Sequence, residues 1–153
     1  MSRESLILLL ATWFGVGKLP VMPGTWGSLA AVPLWWLLSP LGPLGYGLAV
    51  LLLGGLSVYV CGQAEMYLRQ TDASVIVLDE VLGQLIALAA CPRQIYWLGL
   101  GVLLFRLFDI IKPFPIGFIN DHVGGGLGIV LDDVVAGLFA GLILWILIRI
   151  FPS

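Results

Sequence analysis

Apolar residues fall into six blocks, 6–16, 26–38, 44–61, 81–91, 95–108 and 134–151, separated by short segments rich in glycine, proline and charge. None shows the strict alternation of a half-buried strand, and no block repeats another, so the pattern predicts an all-α chain. Only 44–61 and 134–151 approach the ~20 residues that a helix needs to cross a hydrocarbon core of ~30 Å. These are the two expected full spans. The other blocks run 11 to 14 residues, a length that suits re-entrant, interfacial or protein-buried helices. Their ends are well punctuated. Pro33 is expected to kink or interrupt the second block, and Ser39-Pro40 with Gly42-Pro43 end it. Pro92-Arg93 separates the fourth block from the fifth, which stops at Lys112-Pro113-Phe114-Pro115. The expected fold is a polytopic integral membrane helical bundle with short, Pro/Gly-broken or re-entrant helices.

Composition supports lipid as the solvent. The chain is 60% hydrophobic and 10% charged, with a mean hydropathy of +1.08. A soluble domain of 153 residues must cover itself with far more polar surface than that. No linker or low-complexity tail divides the chain, so residues 1–153 are read as one domain. The first apolar block superficially resembles a signal peptide. It runs straight into Gly15-Val16-Gly17-Lys18 without a small-residue cleavage site, and is expected to be retained. A net charge of −2 offers no basic field for nucleic acid. Cys61 and Cys91 lie in apolar blocks without CxxC spacing and read as small buried hydrophobes.

Against that background the acids stand out. Five of the nine acidic residues occupy three tight spots, Asp79-Glu80, Asp109 and Asp132-Asp133. An uncompensated acid near lipid is penalised by about 2.5–3.5 kcal/mol on insertion scales, so these carboxylates point to a cation or a water-filled site. Several carboxylates together are the oxygen donors that Mg²⁺ or Mn²⁺ prefers. Asp79 and Glu80 are adjacent, so on a helix they point about 100° apart and only one is expected to lead into a given site, with Glu80 preferred. Asp132 and Asp133 precede the last apolar block, where one of them could instead cap its helix. Arg106, Asp109 and Lys112, spaced by three, form one polar stripe. That stripe reads either as a phosphate receptor or as an ion-pair ladder at the membrane surface, with Lys112 snorkelling.

The loop at 15–28 is rich in glycine and proline and leads into an apolar helix. Its backbone N–H groups, with Thr25 and Ser28, can cap that helix or donate to phosphate oxygens. It is not a Walker loop, since no Gly-Lys-Ser/Thr closes the GxxxxG spacing. Gly124 to Gly128 admits the same reading or a simple turn before the last helix. Asp72 is read as a supporting acid or a helix cap. His122 is the sole histidine, which excludes a His-rich zinc site and leaves a loop role or a general base open.

Parity constrains how these groups meet. If Asp79-Glu80 and Asp109 serve one site, the segment between them crosses the membrane an even number of times. Pro92-Arg93 then becomes the tip of a helical hairpin, with Tyr96 and Trp97 placed as interfacial aromatics.

Four ordered segments resemble the phosphatidylglycerophosphatase A family. They are Pro20-Val21-Met22-Pro23-Gly24-Thr25-Trp26-Gly27-Ser28-Leu29-Ala30 and Val77-Leu78-Asp79-Glu80-Val81-Leu82-Gly83, then residues 105–116 around Phe105-Arg106-Leu107-Phe108-Asp109, and residues 125–137 around Asp132-Asp133. The family can carry a histidine where this chain has Gly124. The resemblance implies a Mg²⁺-dependent enzyme of the bacterial inner membrane that hydrolyses phosphatidylglycerophosphate to phosphatidylglycerol and phosphate. It also implies that Asp79, Glu80, Asp109, Asp132 and Asp133 belong to the site. On this reading Glu80, Asp109, Asp132 and Asp133 hold Mg²⁺, and Asp79 is a further ligand or orients one. Arg106, Lys112, Thr25 and Ser28 bind the phosphoryl group of a membrane phospholipid at the cytosolic headgroup level. A homo-oligomer is compatible with this. The alternative is an ion-coupled transporter or channel subunit that uses the same carboxylates.

Overall fold

A computed structural model of the protein describes residues 2–151. Among those residues there are seven α-helices and no strand: α1 (Arg3–Ala11), α2 (Pro23–Leu38), α3 (Gly42–Leu68), α4 (Leu78–Ala87), α5 (Ile95–Ile111), α6 (Ile116–His122) and α7 (Gly125–Ile150). Two segments are long and apolar enough to cross a membrane, Pro23–Leu68 and Gly125–Ile150. A 3-10 turn at Ser39–Leu41 breaks the first into helices of 16 and 27 residues.

Several boundaries differ from the apolar pattern, for identifiable reasons. Pro33 lies inside α2 without ending it, because one proline removes a single i→i−4 bond while the rest of the ladder continues. Pro23 opens that helix at its first position, where a missing N–H is harmless. The residue before it, Met22, takes a left-handed φ of 50°, so neither Thr25 nor Ser28 is the cap. The last helix starts at Gly125 with Gly124 as its N-cap, well before the apolar block begins. Asp132 and Asp133 therefore lie two turns inside α7 and cap nothing.

The predicted hairpin is present. At ten residues α4 rises only about 15 Å, too little to cross a bilayer core. Neighbouring side chains bond its C-terminal end: Tyr46 Oη donates to the Leu85 carbonyl at 2.6 Å, and Trp35 Nε1 donates at 2.8 Å to the carbonyl of the C-cap Leu88, which also accepts from the Cys91 N–H. The chain turns through Pro92-Arg93, and Arg93 reaches Ser39 Oγ at 3.0 Å and lies over the Trp36 ring. The tip thus packs beside the turn between α2 and α3. Tyr96 is exposed there, whereas Trp97 is buried in an apolar cluster with Trp35, Tyr46 and Leu85 rather than lying at the surface. The starts of α2 and α4, the end of α5 and the first turns of α7 are consequently gathered at the opposite end of the molecule.

Candidate active site

Close helix packing creates the centre of that end. A Cβ on Gly137 of α7 would lie 2.3 Å from the Gly83 carbonyl oxygen of α4, so only glycine lets the two backbones touch. One turn above this contact stand Asp79 and Glu80 on α4 and Asp133 on α7. One carboxylate oxygen from each lies within 4.8 Å of those of the other two. Although adjacent in sequence, Asp79 and Glu80 both bring a carboxylate oxygen to the cluster, so they do not diverge as an isolated helix would suggest.

This cluster is short of positive charge. Asp79 and Asp133 are buried at 5% and 3% exposure, and at the observed spacing each pair of ionised carboxylates repels by about 3–4 kcal/mol for an effective dielectric near 20. Asp79 Oδ1 and Glu80 Oε2 are buried without a hydrogen-bond partner. Burial first, and then the Asp133 charge, pushes the Glu80 carboxyl up to about 8, while burial and the neighbouring Glu80 hold Asp79 well above the usual carboxylate range. A set of orphaned, converging carboxylate oxygens fits a hard divalent cation in donor type and in charge.

The other two acids have partners. Arg106 Nη1 binds Asp109 one turn along α5 and reaches Glu80 Oε1 at 3.7 Å. Lys112, with a left-handed φ of 46° just past the end of α5, donates across to Asp132 on α7 and to Asn120 Oδ1 at 2.7 Å. The stripe at 106, 109 and 112 is therefore more than a ladder along one helix, because both cations tie α5 to an acidic residue on another helix. Glu80, Arg106 and Asp109 meet at one end of the molecule. Five carboxylates face two cations here, so the shortfall persists even with both pairs formed.

A polar cleft of about 290 Å³ opens beside this cluster, lined by Pro23, Gly24, Asp72, Ser74, Glu80 and Arg106. Gly24 lies directly against the ends of the Glu80 and Arg106 side chains. A Cβ there would lie 2.2 Å from Glu80 Oε1 and 2.8 Å from Arg106 Nη1. In the same turn the Thr25 hydroxyl is buried and unpartnered, while Ser28 is fully buried and donates to the Gly24 carbonyl at 2.9 Å. Thr25 retains free hydrogen-bonding capacity, and Ser28 spends its proton within the helix.

Asp72 sits exposed in the loop before α4, at φ 47°, and lines both this cleft and a second one of about 420 Å³ that includes Glu65, Asn120, Asp121 and His122. It caps no helix, since α4 is preceded by Val77. The sequence signal for its position was an acid in a polar loop just ahead of Asp79-Glu80. His122 ends α6, with its ring stacked on Phe118 and Nδ1 2.9 Å from the Phe118 carbonyl oxygen. Cys61 is buried and Cys91 half-buried, both as free thiols. In the glycine segment a Cβ on Gly126 would lie 2.0 Å from the Val58 carbonyl oxygen, so this residue lets α7 pack closely on α3.

Comparison with known proteins places these residues in a family. A family model described as phosphatidylglycerophosphatase A matches residues 9–148. The chain is 41% identical over 145 residues to phosphatidylglycerophosphatase A of Escherichia coli strain K12, covering 94% of this chain and 84% of that protein. It is 40% identical over 141 residues to the protein of the same name from Haemophilus influenzae, covering 91% and 86%. A Bacteroides thetaiotaomicron relative, provisionally named a phosphatidylinositol-3-phosphatase, is 34% identical over 149 residues and is covered, like this chain, to 92%. No solved structure matches.

Proposed function

The chain belongs to the phosphatidylglycerophosphatase A family, and from that premise we propose that its carboxylate cluster hydrolyses a membrane-bound phosphomonoester, phosphatidylglycerophosphate, to phosphatidylglycerol and phosphate. The observation that carries the mechanism is the convergence of Asp79, Glu80 and Asp133 beside a cleft lined by Arg106. These three acids would hold a divalent cation, taken as Mg²⁺, with Asp109 and Asp132 bordering the same site. When bound, such an ion supplies Lewis acidity, which screens the phosphoryl charge and makes water a competent nucleophile near neutral pH.

The protein's own groups do the rest. Arg106, held by Asp109, presents a guanidinium fork to the phosphoryl oxygens. The unpartnered Thr25 hydroxyl donates to the same group. Lys112 fixes Asp132 and adds positive charge at the rim, and Ser28 holds the first turn of α2 in shape. Gly24 keeps that turn against Glu80 and Arg106. Release of the leaving alcohol then needs only a proton from water at the open cleft.

α3 and α7 would cross the bilayer while the α4–α5 hairpin enters from the site end. The carboxylates then lie at the headgroup level of the cytosolic face, and the substrate's acyl chains stay in lipid. The exposed leucines of α3, including Leu44, Leu51 and Leu52 at 72–79% exposure, support a lipid-facing surface. The test is phosphate release by the purified, detergent-solubilised protein given phosphatidylglycerophosphate. Release should stop with a chelator and return with Mg²⁺. Release indifferent to chelator, or retained in Asp133→Asn, would overturn the metal-assisted mechanism.

A further inference from the structure

An apolar groove of about 510 Å³ runs between α2 and α5, walled by Leu29, Val32 and Pro33 on one side and Ile95, Gly99 and Val102 on the other. The same two helices line the polar cleft one to two turns away, through Gly24 of α2 and Arg106 of α5. Leu29 follows Thr25, whose buried hydroxyl is unpartnered, by four residues, and Val102 precedes the cleft-lining Arg106 by four, so each apolar wall residue shares a helix face with a group assigned above to the phosphate. From Arg106 down to Gly99 the helix rises about 10 Å. The groove therefore lies next along α2 and α5 from the cleft, on the apolar side of both helices.

We propose that this groove seats an acyl chain of the lipid substrate, which anchors the phosphomonoester against Arg106. The inference rests on the phosphatase reading and adds a binding site to it. An acyl chain suits the walls because they present only hydrocarbon and one bare backbone position. At Gly99 a Cβ would meet nothing within 4 Å, so the glycine is not demanded by packing within the protein and leaves open room in the groove. The bilayer surrounds a chain with equally apolar material, so the contribution of the groove is positional: it fixes the substrate relative to the reacting groups. A second apolar cleft, of about 260 Å³ between α3 and α7, lacks this relation. Its α3 wall continues from Val58 to Gly62 and Glu65, which offer a phosphate no cation.

Gly99 also provides the test. Gly99→Leu fills the groove from an open helix position and improves helix propensity, and Gly99→Ala serves as the small control. Two substrates are compared: diacyl phosphatidylglycerophosphate in detergent micelles and its deacylated, water-soluble headgroup. Gly99→Leu is expected to lower kcat/KM for the diacyl substrate about tenfold, leaving the deacylated one within about twofold and Gly99→Ala near wild type on both. An unchanged diacyl rate, or an equal fall on both substrates, would overturn the proposal.

A second measurement needs no turnover. The probe is a phosphatidylglycerophosphate carrying a photoreactive group midway along one acyl chain. It should label residues 95–102 and 29–33, and lose that preference when the terminal phosphate is removed. Labelling that favours the α3/α7 cleft, spreads over the lipid-facing surface or ignores the phosphate would contradict the groove. Wild-type protein that labels here yet releases no phosphate would count against the phosphatase reading and leave the acyl site standing.

Discussion

Two sets of carboxylates lie at one end of the helical fold and differ in how their charge is met. Asp109 and Asp132 each hold a cation from the chain itself, Arg106 and Lys112. Asp79, Glu80 and Asp133 converge on one another, with only a 3.7 Å approach from Arg106 and with buried oxygens that nothing in the chain satisfies. The first arrangement is complete as folded and ties helices together. The second has buried oxygens left without a partner in the chain, which is why the proposed mechanism places the cation there.

That contrast predicts opposite signs for activity and stability. Asp133→Asn or Asp79→Asn should lower phosphate release about 10³-fold while leaving thermal stability unchanged or raised in the metal-free protein, because each removes one member of a repelling set. A large loss of stability in these variants would erase the distinction between the two sets. Next in size is Gly24→Ala, whose new Cβ displaces Glu80 and Arg106 together. Misplacement on this scale should lower kcat/KM about 100-fold in the same assay, and wild-type kinetics would show that the first turn of α2 is not tied to the chemistry.

Asp109→Asn should behave as the converse of Asp133→Asn. It frees Arg106 and is expected to lower kcat/KM about 10- to 100-fold, with a stability loss of about 1–3 kcal/mol measured by denaturant or heat. The smallest contrast compares two hydroxyls in one helix. Thr25→Val should lower kcat/KM about tenfold, whereas Ser28→Ala should change it by less than about twofold, because its proton is already engaged by Gly24. Equal effects would remove Thr25 from the phosphate contact.

Much of the fold is legible in the sequence, and what is not shares one physical cause, packing between helices distant in the chain. Apolar blocks located α1 to α5 and most of α7 but not the short α6, and the Pro92-Arg93 break, with one site assumed for Asp79-Glu80 and Asp109, led to the α4–α5 hairpin whose Glu80–Arg106–Asp109 contact is present. The start of α7 was not legible, because glycines 124 to 126 and 128 read as loop when taken locally; two of them instead pack tightly in the fold, Gly126 against α3 and Gly128 against the Val123 carbonyl oxygen. The alternative that one of Asp132 and Asp133 caps the last helix followed from that error. The expectation that Asp79 and Glu80 diverge treated α4 as an isolated cylinder, whereas α7 pressed against Gly83 supplies a third carboxylate toward which both can turn. Asp72 and Gly24 escaped weight because their importance lies in what packs beside them, which a single helix or loop does not reveal.

Direct binding of a divalent ion decides the central claim. Mg²⁺ or Mn²⁺ affinity can be measured on purified wild type and on the single variants Asp79→Asn, Glu80→Gln, Asp133→Asn and Asp109→Asn, without substrate or turnover. The carboxylate cluster predicts one or more ions bound by wild type, affinity lowered about 100-fold or more in each of the first three, and a loss of no more than about tenfold in Asp109→Asn. Wild-type affinity in Asp133→Asn, with loss confined to Asp109→Asn, would contradict it.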